Sequence, residues 1–129
     1  MRLRVVVVLL ALVGVASVPA ATPPFRAVLK APAANPVVNV RWYYSLRVTD
    51  LRGRPIAATV TAHMLDPFGG VHPVEYGPTK KPIVGFRFKG MFRDYLEFPP
   101  ESRGFSLRFR LTVEAKGKRR VLIRQVVPR

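Results

Sequence analysis

The sequence predicts an all-β fold, an antiparallel sandwich of about seven strands. Apolar and polar residues alternate with period two over most of the chain, the pattern of half-buried strands. Runs rich in Gly, Pro and Asp recur at short, regular spacing between them, as sandwiches require. No window of helical period competes with these segments. A closed barrel is the second architecture that fits.

Residues 1–20 read as a signal peptide, a helical leader ahead of the sandwich. Met1-Arg2-Leu3-Arg4 is a short cationic start, and Val5 to Val15 carry no charge. Val18-Pro19-Ala20-Ala21 then offers the small residues that signal peptidase accepts, with the cut expected after Ala20. The apolar run is shorter than the ~20 residues needed to span a bilayer as a helix. The chain is therefore expected to be secreted, or extracytoplasmic, with an uncleaved N-terminal membrane anchor as the alternative.

Residues 21–36 form an Ala/Pro-rich linker, within which Phe25 to Lys30 reads as a first strand. The sandwich domain is expected over residues 37–129. Val38, Val40, Trp42, Tyr44, Leu46 and Val48 alternate with Asn39, Arg41, Tyr43, Ser45, Arg47 and Thr49, which defines the clearest strand. Asp50 to Pro55 turns the chain, since Gly53 accepts a positive φ and Pro55 cannot donate to a ladder. Ile56 to Leu65 follows, with Ala58, Val60, Ala62 and Met64 on one face. Asp66 to Gly70 then leads into a shorter strand, Val71 to Tyr76, and Gly77 to Pro82 forms a loop. In Ile83 to Lys89 the pattern sends Val84, Phe86 and Phe88 inward. Gly90 to Gly104 is the least regular stretch. Phe105, Leu107, Phe109, Leu111 and Val113 line the inner face of the next strand. After a turn at Ala115 to Lys118, Arg119 to Val127 carries apolar residues on both faces and is expected to lie centrally.

Composition narrows the chemistry. With 49% hydrophobic residues the chain can bury a core, so wholesale disorder is excluded. The absence of Cys excludes a disulfide framework, a thiolate metal site and a Cys nucleophile. There are 22 Lys and Arg against 7 Asp and Glu; loss of the leader removes Arg2 and Arg4 and leaves 20 against 7. Such an excess favours anionic partners. Export makes nucleic acid a poor candidate among them.

The segment Val48-Thr49-Asp50-Leu51-Arg52-Gly53-Arg54-Pro55-Ile56-Ala57-Ala58-Thr59-Val60 has the form V-x-D-x-x-G-x-P-x-x-x-x-V. It resembles the hairpin of secreted bacterial immunoglobulin-like and carboxypeptidase-regulatory-like sandwiches, and of the YtkA-like group. The resemblance implies an immunoglobulin-like sandwich and a binding or spacer role in the envelope. Copper-handling members of such families bind metal through His and Met, so it also implies a metal site as an alternative. This chain departs from them in having no immunoglobulin-type Cys pair and no His at the start of the mature sequence.

Arg41, Arg47, Arg87, Lys89, Arg108 and Arg110 each occupy the outward side of their own strand. Wherever such strands are neighbours, they build a cationic sheet face, and Arg suits phosphate or carboxylate through paired hydrogen bonds. Arg119, Arg120 and Arg124 add charge to the last strand. His63 and His72 are the chain's two histidines. If the intervening hairpin closes symmetrically they stand ~5 Å apart on one face, with Asp66 or Glu75 close by, a set that could take Cu(II) or Zn(II). A register shifted by one pairs Met64 with His72 and destroys the arrangement. Asp94, Glu97 and Glu101 form the local cluster of acids, expected to be exposed and ion-paired with Arg93 or Arg103. Ser102 lies in no nucleophile elbow, and no triad is evident. Trp42 is expected in the core and Tyr43 outside it, while Phe68 sits at a loop tip. The expectation is a non-enzymatic interaction module at the cell envelope, without cofactor, contacting anionic polymers or lipid head groups, or another envelope protein. The alternative is a small copper-type metal-binding sandwich using His63 and His72.

Overall fold

The computed structural model describes residues 24–129, so the expected signal peptide and its expected cleavage point lie outside the described residues. Eight strands follow one another: β1 Phe25–Lys30, β2 Arg41–Asp50, β3 Ala57–Leu65, β4 Val71–Pro73, β5 Phe86–Lys89, β6 Met91–Glu97, β7 Leu107–Ala115 and β8 Lys118–Val126. They pair antiparallel in two sheets. One has the order β1-β2-β6; the other has the order β4-β3-β7-β8, with β5 also paired to β3. The chain is an all-β antiparallel sandwich. Among the described residues, no helix is long and apolar enough to cross a membrane.

Period-two patterning explains the interior. Trp42, Tyr44, Leu46 and Val48 of β2 face Ala58, Val60 and Ala62 of β3 and Phe109, Leu111 and Val113 of β7 across one buried cluster. Burying each large member contributes about 1.5–3 kcal/mol. Trp42 meets Phe98 and Phe109 edge-on at 5.8 and 5.9 Å, and its indole N–H donates to the Ala33 carbonyl at 2.9 Å. The β2–β3 turn follows its motif. The Asp50 carboxylate accepts the backbone N–H groups of Arg52 and Arg54, and Gly53 takes a φ of +83°.

The structure departs from the sequence expectation in several places. Strand β2 begins at Arg41 because Asn39 adopts a φ of +62°, which breaks the alternation and leaves Val40 exposed while Val38 is buried. Gly85, at +57°, does the same before β5: Ile83 enters the core, and Val84 is 71% exposed. The strand expected from Val71 ends at Pro73, with Val74 buried beyond it. Phe105 precedes β7 and packs against Phe68 rather than lying in the core. The irregular stretch from Gly90 contains a full strand, β6, whose inward residues are Phe92 and Asp94.

Strand β8 is an edge strand rather than a central one. Its register opposite Val113, Leu111 and Phe109 turns Arg120, Leu122 and Arg124 inward and leaves Val121 and Ile123 about half exposed. Inward-pointing cations on an edge discourage pairing with another chain. Arg120 closes that side of the sandwich by donating to the Phe25 carbonyl at 3.4 Å.

Candidate functional site

The outer face of the three-stranded sheet brings cations and tyrosines together. Its middle strand, β2, turns Arg41, Tyr43, Ser45 and Arg47 outward, and the ladders with β1 and β6 set their neighbours. Arg47 lies between Val28 and Met91, and Ser45 between Lys30 and Arg93. Tyr43 stands opposite Tyr95, their rings 5.7 Å apart, and Arg41 stands opposite Glu97. Arg26 extends the face beyond Val28. Successive rungs are ~6.8 Å apart along the strand, twice the rise per residue.

Charge on this face is one-sided. Arg26, Lys30, Arg41, Arg47 and Arg93 oppose a lone outward carboxylate, Glu97, which Arg41 already engages at 3.4 Å. The Arg41 guanidinium also lies 4.3 Å from the Tyr95 ring centre, a cation–π contact that fixes the ring. Lys30, Tyr43, Ser45 and Arg93 surround a shallow depression of about 430 Å³. An anionic oxygen placed there would meet an ammonium, a guanidinium and a hydroxyl, beside an exposed aromatic ring.

The six outward cations expected from sequence do not share one face. Arg41 and Arg47 belong to this sheet, whereas Arg87, Lys89, Arg108 and Arg110 lie on the outer face of the five-stranded sheet, across the sandwich. Even there the two pairs are separated. Arg87 lies beside Thr59, next to the Glu114–Arg119 ion pair at 3.1 Å, and the Thr61–Thr112 rung intervenes before Arg110. Lys30, Arg93 and Tyr95 were missed as contributors. The last two lie in β6, where Met91, Arg93, Tyr95 and Glu97 already alternate with Phe92, Asp94 and Leu96.

The histidines are not brought together. Strand β4 pairs Met64 with His72 and His63 with Pro73, one residue away from the symmetric register. The physical reason is the Asp66 carboxylate: it accepts the N–H groups of Phe68 and Gly70, both at 2.8 Å, and closes the loop tightly. Because alternate residues face opposite sides, His63 and His72 diverge. His72 turns back to Asp66, Nε2 to Oδ2 at 2.7 Å. His63 meets Arg110 across the sheet, Nη2 to Nδ1 at 3.4 Å, and a guanidinium there opposes a metal cation. Among the described residues, no three His, Cys, Asp or Glu side chains gather as a metal site.

The acids are likewise dispersed. Asp94 is 5% exposed and pairs with neither Arg93 nor Arg103. It accepts the Tyr44 hydroxyl at 2.7 Å and the Gly77 N–H at 2.8 Å, which ties β6 to the loop after β4. Burial, reinforced by the Asp94 charge, pushes the Tyr44 phenol far up, so it serves as a neutral donor. Glu97 belongs to the Arg41 pair, and Glu101 is exposed. Ser102 spends its hydroxyl on the Pro99 carbonyl at 2.7 Å.

No protein-family model and no curated protein matches this chain. Among solved structures, a domain of the outer membrane lipoprotein Omp28 from Porphyromonas gingivalis is similar, with a TM-score of 0.46 and 9% identity. The match covers 83% of this chain and 99% of that one.

Proposed function

We propose that this protein is an extracytoplasmic, non-enzymatic β-sandwich that binds anionic envelope polymers through the outer face of its three-stranded sheet. The observation that carries the reading is the Lys30–Ser45–Arg93 rung beside the Tyr43–Tyr95 pair, on a face whose single outward carboxylate is already engaged. The leader at residues 1–20 supports export. Attraction would come from Coulomb forces and counterion release, with Arg and Lys holding phosphate or carboxylate groups and the tyrosine rings taking the backbone of the polymer.

The test is retention of residues 21–129 on immobilised polyphosphate and polygalacturonate across a salt series, with neutral dextran as the control. Binding should weaken steeply as salt rises. The double variant Lys30→Glu/Arg93→Glu should weaken retention about tenfold or more, which corresponds to ~1.4 kcal/mol or more. Arg108→Glu/Arg110→Glu, on the opposite face, changes the net charge equally and should matter much less. Equal losses in the two variants would show that net charge alone drives retention and would refute a localised face.

A further inference from the structure

A second feature of the molecule has the opposite electrostatic sign. At the end of the sandwich where β4 and β6 form unpaired edges of their sheets, a cleft of about 970 Å³ opens between them. That volume lies near the top of the range for ligand-binding clefts, roughly 300–1,000 Å³. Met64, Leu96, Phe98 and Leu107 supply apolar lining. At the rim, Phe68 is 82% exposed and packs edge-on against Phe105 at 6.0 Å. An aromatic ring this exposed has no role in the core.

The carboxylates are concentrated in this cleft. Asp66, Glu75, Glu97 and Glu101 line it, four of the seven acids in the chain. Among the described Lys and Arg residues, only Arg41 and Lys80 line it, and Arg41 is engaged with Glu97. Over the whole chain there are about three cations for every acid; here the ratio inverts. Glu75 and Glu101 are exposed and take part in no ion pair among the described residues.

We infer that this cleft binds an extended protein segment in which Arg or Lys side chains alternate with apolar ones. The apolar residues would fill the lining, and the cations would reach Glu75 and Glu101. Their alkyl stems would lie along the rings of Phe68 and Phe105. The strongly cationic remainder of the molecule repels such a segment, so the same charge that attracts polyanions directs this partner to the cleft. The inference stands apart from the polyanion reading, because the two surfaces differ in sign and in most of their residues.

The probe is a short fluorescent peptide repeating Arg-Pro-Leu, which proline keeps extended and monomeric, titrated into residues 21–129 and read by anisotropy. A matched uncharged Gln-Pro-Leu peptide serves as the counterpart, since an anionic one would be drawn to the cationic sheet face. The Arg peptide should bind and the Gln peptide should not. Glu75→Lys/Glu101→Lys should weaken binding about tenfold or more, Phe68→Ala should weaken it as well, and Arg93→Glu should leave it unchanged. Glu75, Glu101 and Phe68 are exposed, so these variants retain the fold, which a thermal melt checks. Absence of binding, equal binding of the Gln peptide, or indifference to the Glu75/Glu101 reversal would each overturn the inference.

Discussion

Asp94 is the residue on which the geometry of both surfaces depends, and its removal makes a quantitative test. The carboxylate is buried and receives two hydrogen bonds, from the Tyr44 hydroxyl and the Gly77 N–H. Replacement by Ala takes away the acceptor for both donors and leaves them in a low-dielectric interior. Hydrogen bonds to a charged group contribute about 1.5–3 kcal/mol each, so Asp94→Ala should cost about 3–5 kcal/mol. For a domain near this size that lowers Tm by roughly 12 °C or more. Asp94→Asn keeps one acceptor and should cost about half as much. Urea unfolding followed by the fluorescence of Trp42, the lone and buried tryptophan, gives the free energies directly. A double-mutant cycle with Tyr44→Phe should show coupling of about 0.5–3 kcal/mol. A cost below ~1 kcal/mol for Asp94→Ala, or strict additivity with Tyr44→Phe, would refute the claim that this pair holds β6 in place.

Acid should loosen the β3–β4 loop. The His72 hydrogen bond, followed by the Gly70 N–H, holds the Asp66 carboxyl below its ordinary value of 3.8. A depressed folded-state pKa stabilises the fold above the unfolded-state value, and that contribution disappears as pH falls through the folded one. An NMR titration should find Asp66 below 3.8 and moving upward in His72→Ala; titration at or above 3.8 in the parent would contradict the contact. At Gly77, an added Cβ would lie 2.6 Å from the Tyr95 ring. Gly77→Ala should therefore displace that ring, cost about 1–3 kcal/mol in a melt, and weaken polyanion retention without changing charge. Unchanged retention would separate Tyr95 from the binding face.

The alternation in β2, β3 and β7 was readable because side-chain direction in a strand repeats every two residues, and no distant contact is needed to set it. The Asp50 turn was readable for a similar reason, since its carboxylate bonds to backbone groups two and four residues away. β6 was hidden by a single inward acid. Asp94 breaks the apolar pattern, and its satisfaction by Tyr44, fifty positions earlier, is invisible in a local window. The β3–β4 register turned on how the Asp66 side chain closes its loop, a choice between two pairings that differ by one residue.

Cations show the same division. Each of the six expected outward residues does lie on the outer side of its own strand, yet they are shared between opposite faces of the sandwich. By itself the sequence determined the all-β class, the inner side of the principal strands, and the excess of positive charge. Which strands share a sheet, and so the meeting of Lys30 and Arg93 across Ser45 and the gathering of four acids around one cleft, was decided only by tertiary structure. Strand direction is a local steric property, whereas sheet membership depends on hydrogen bonds and packing between segments far apart in the chain.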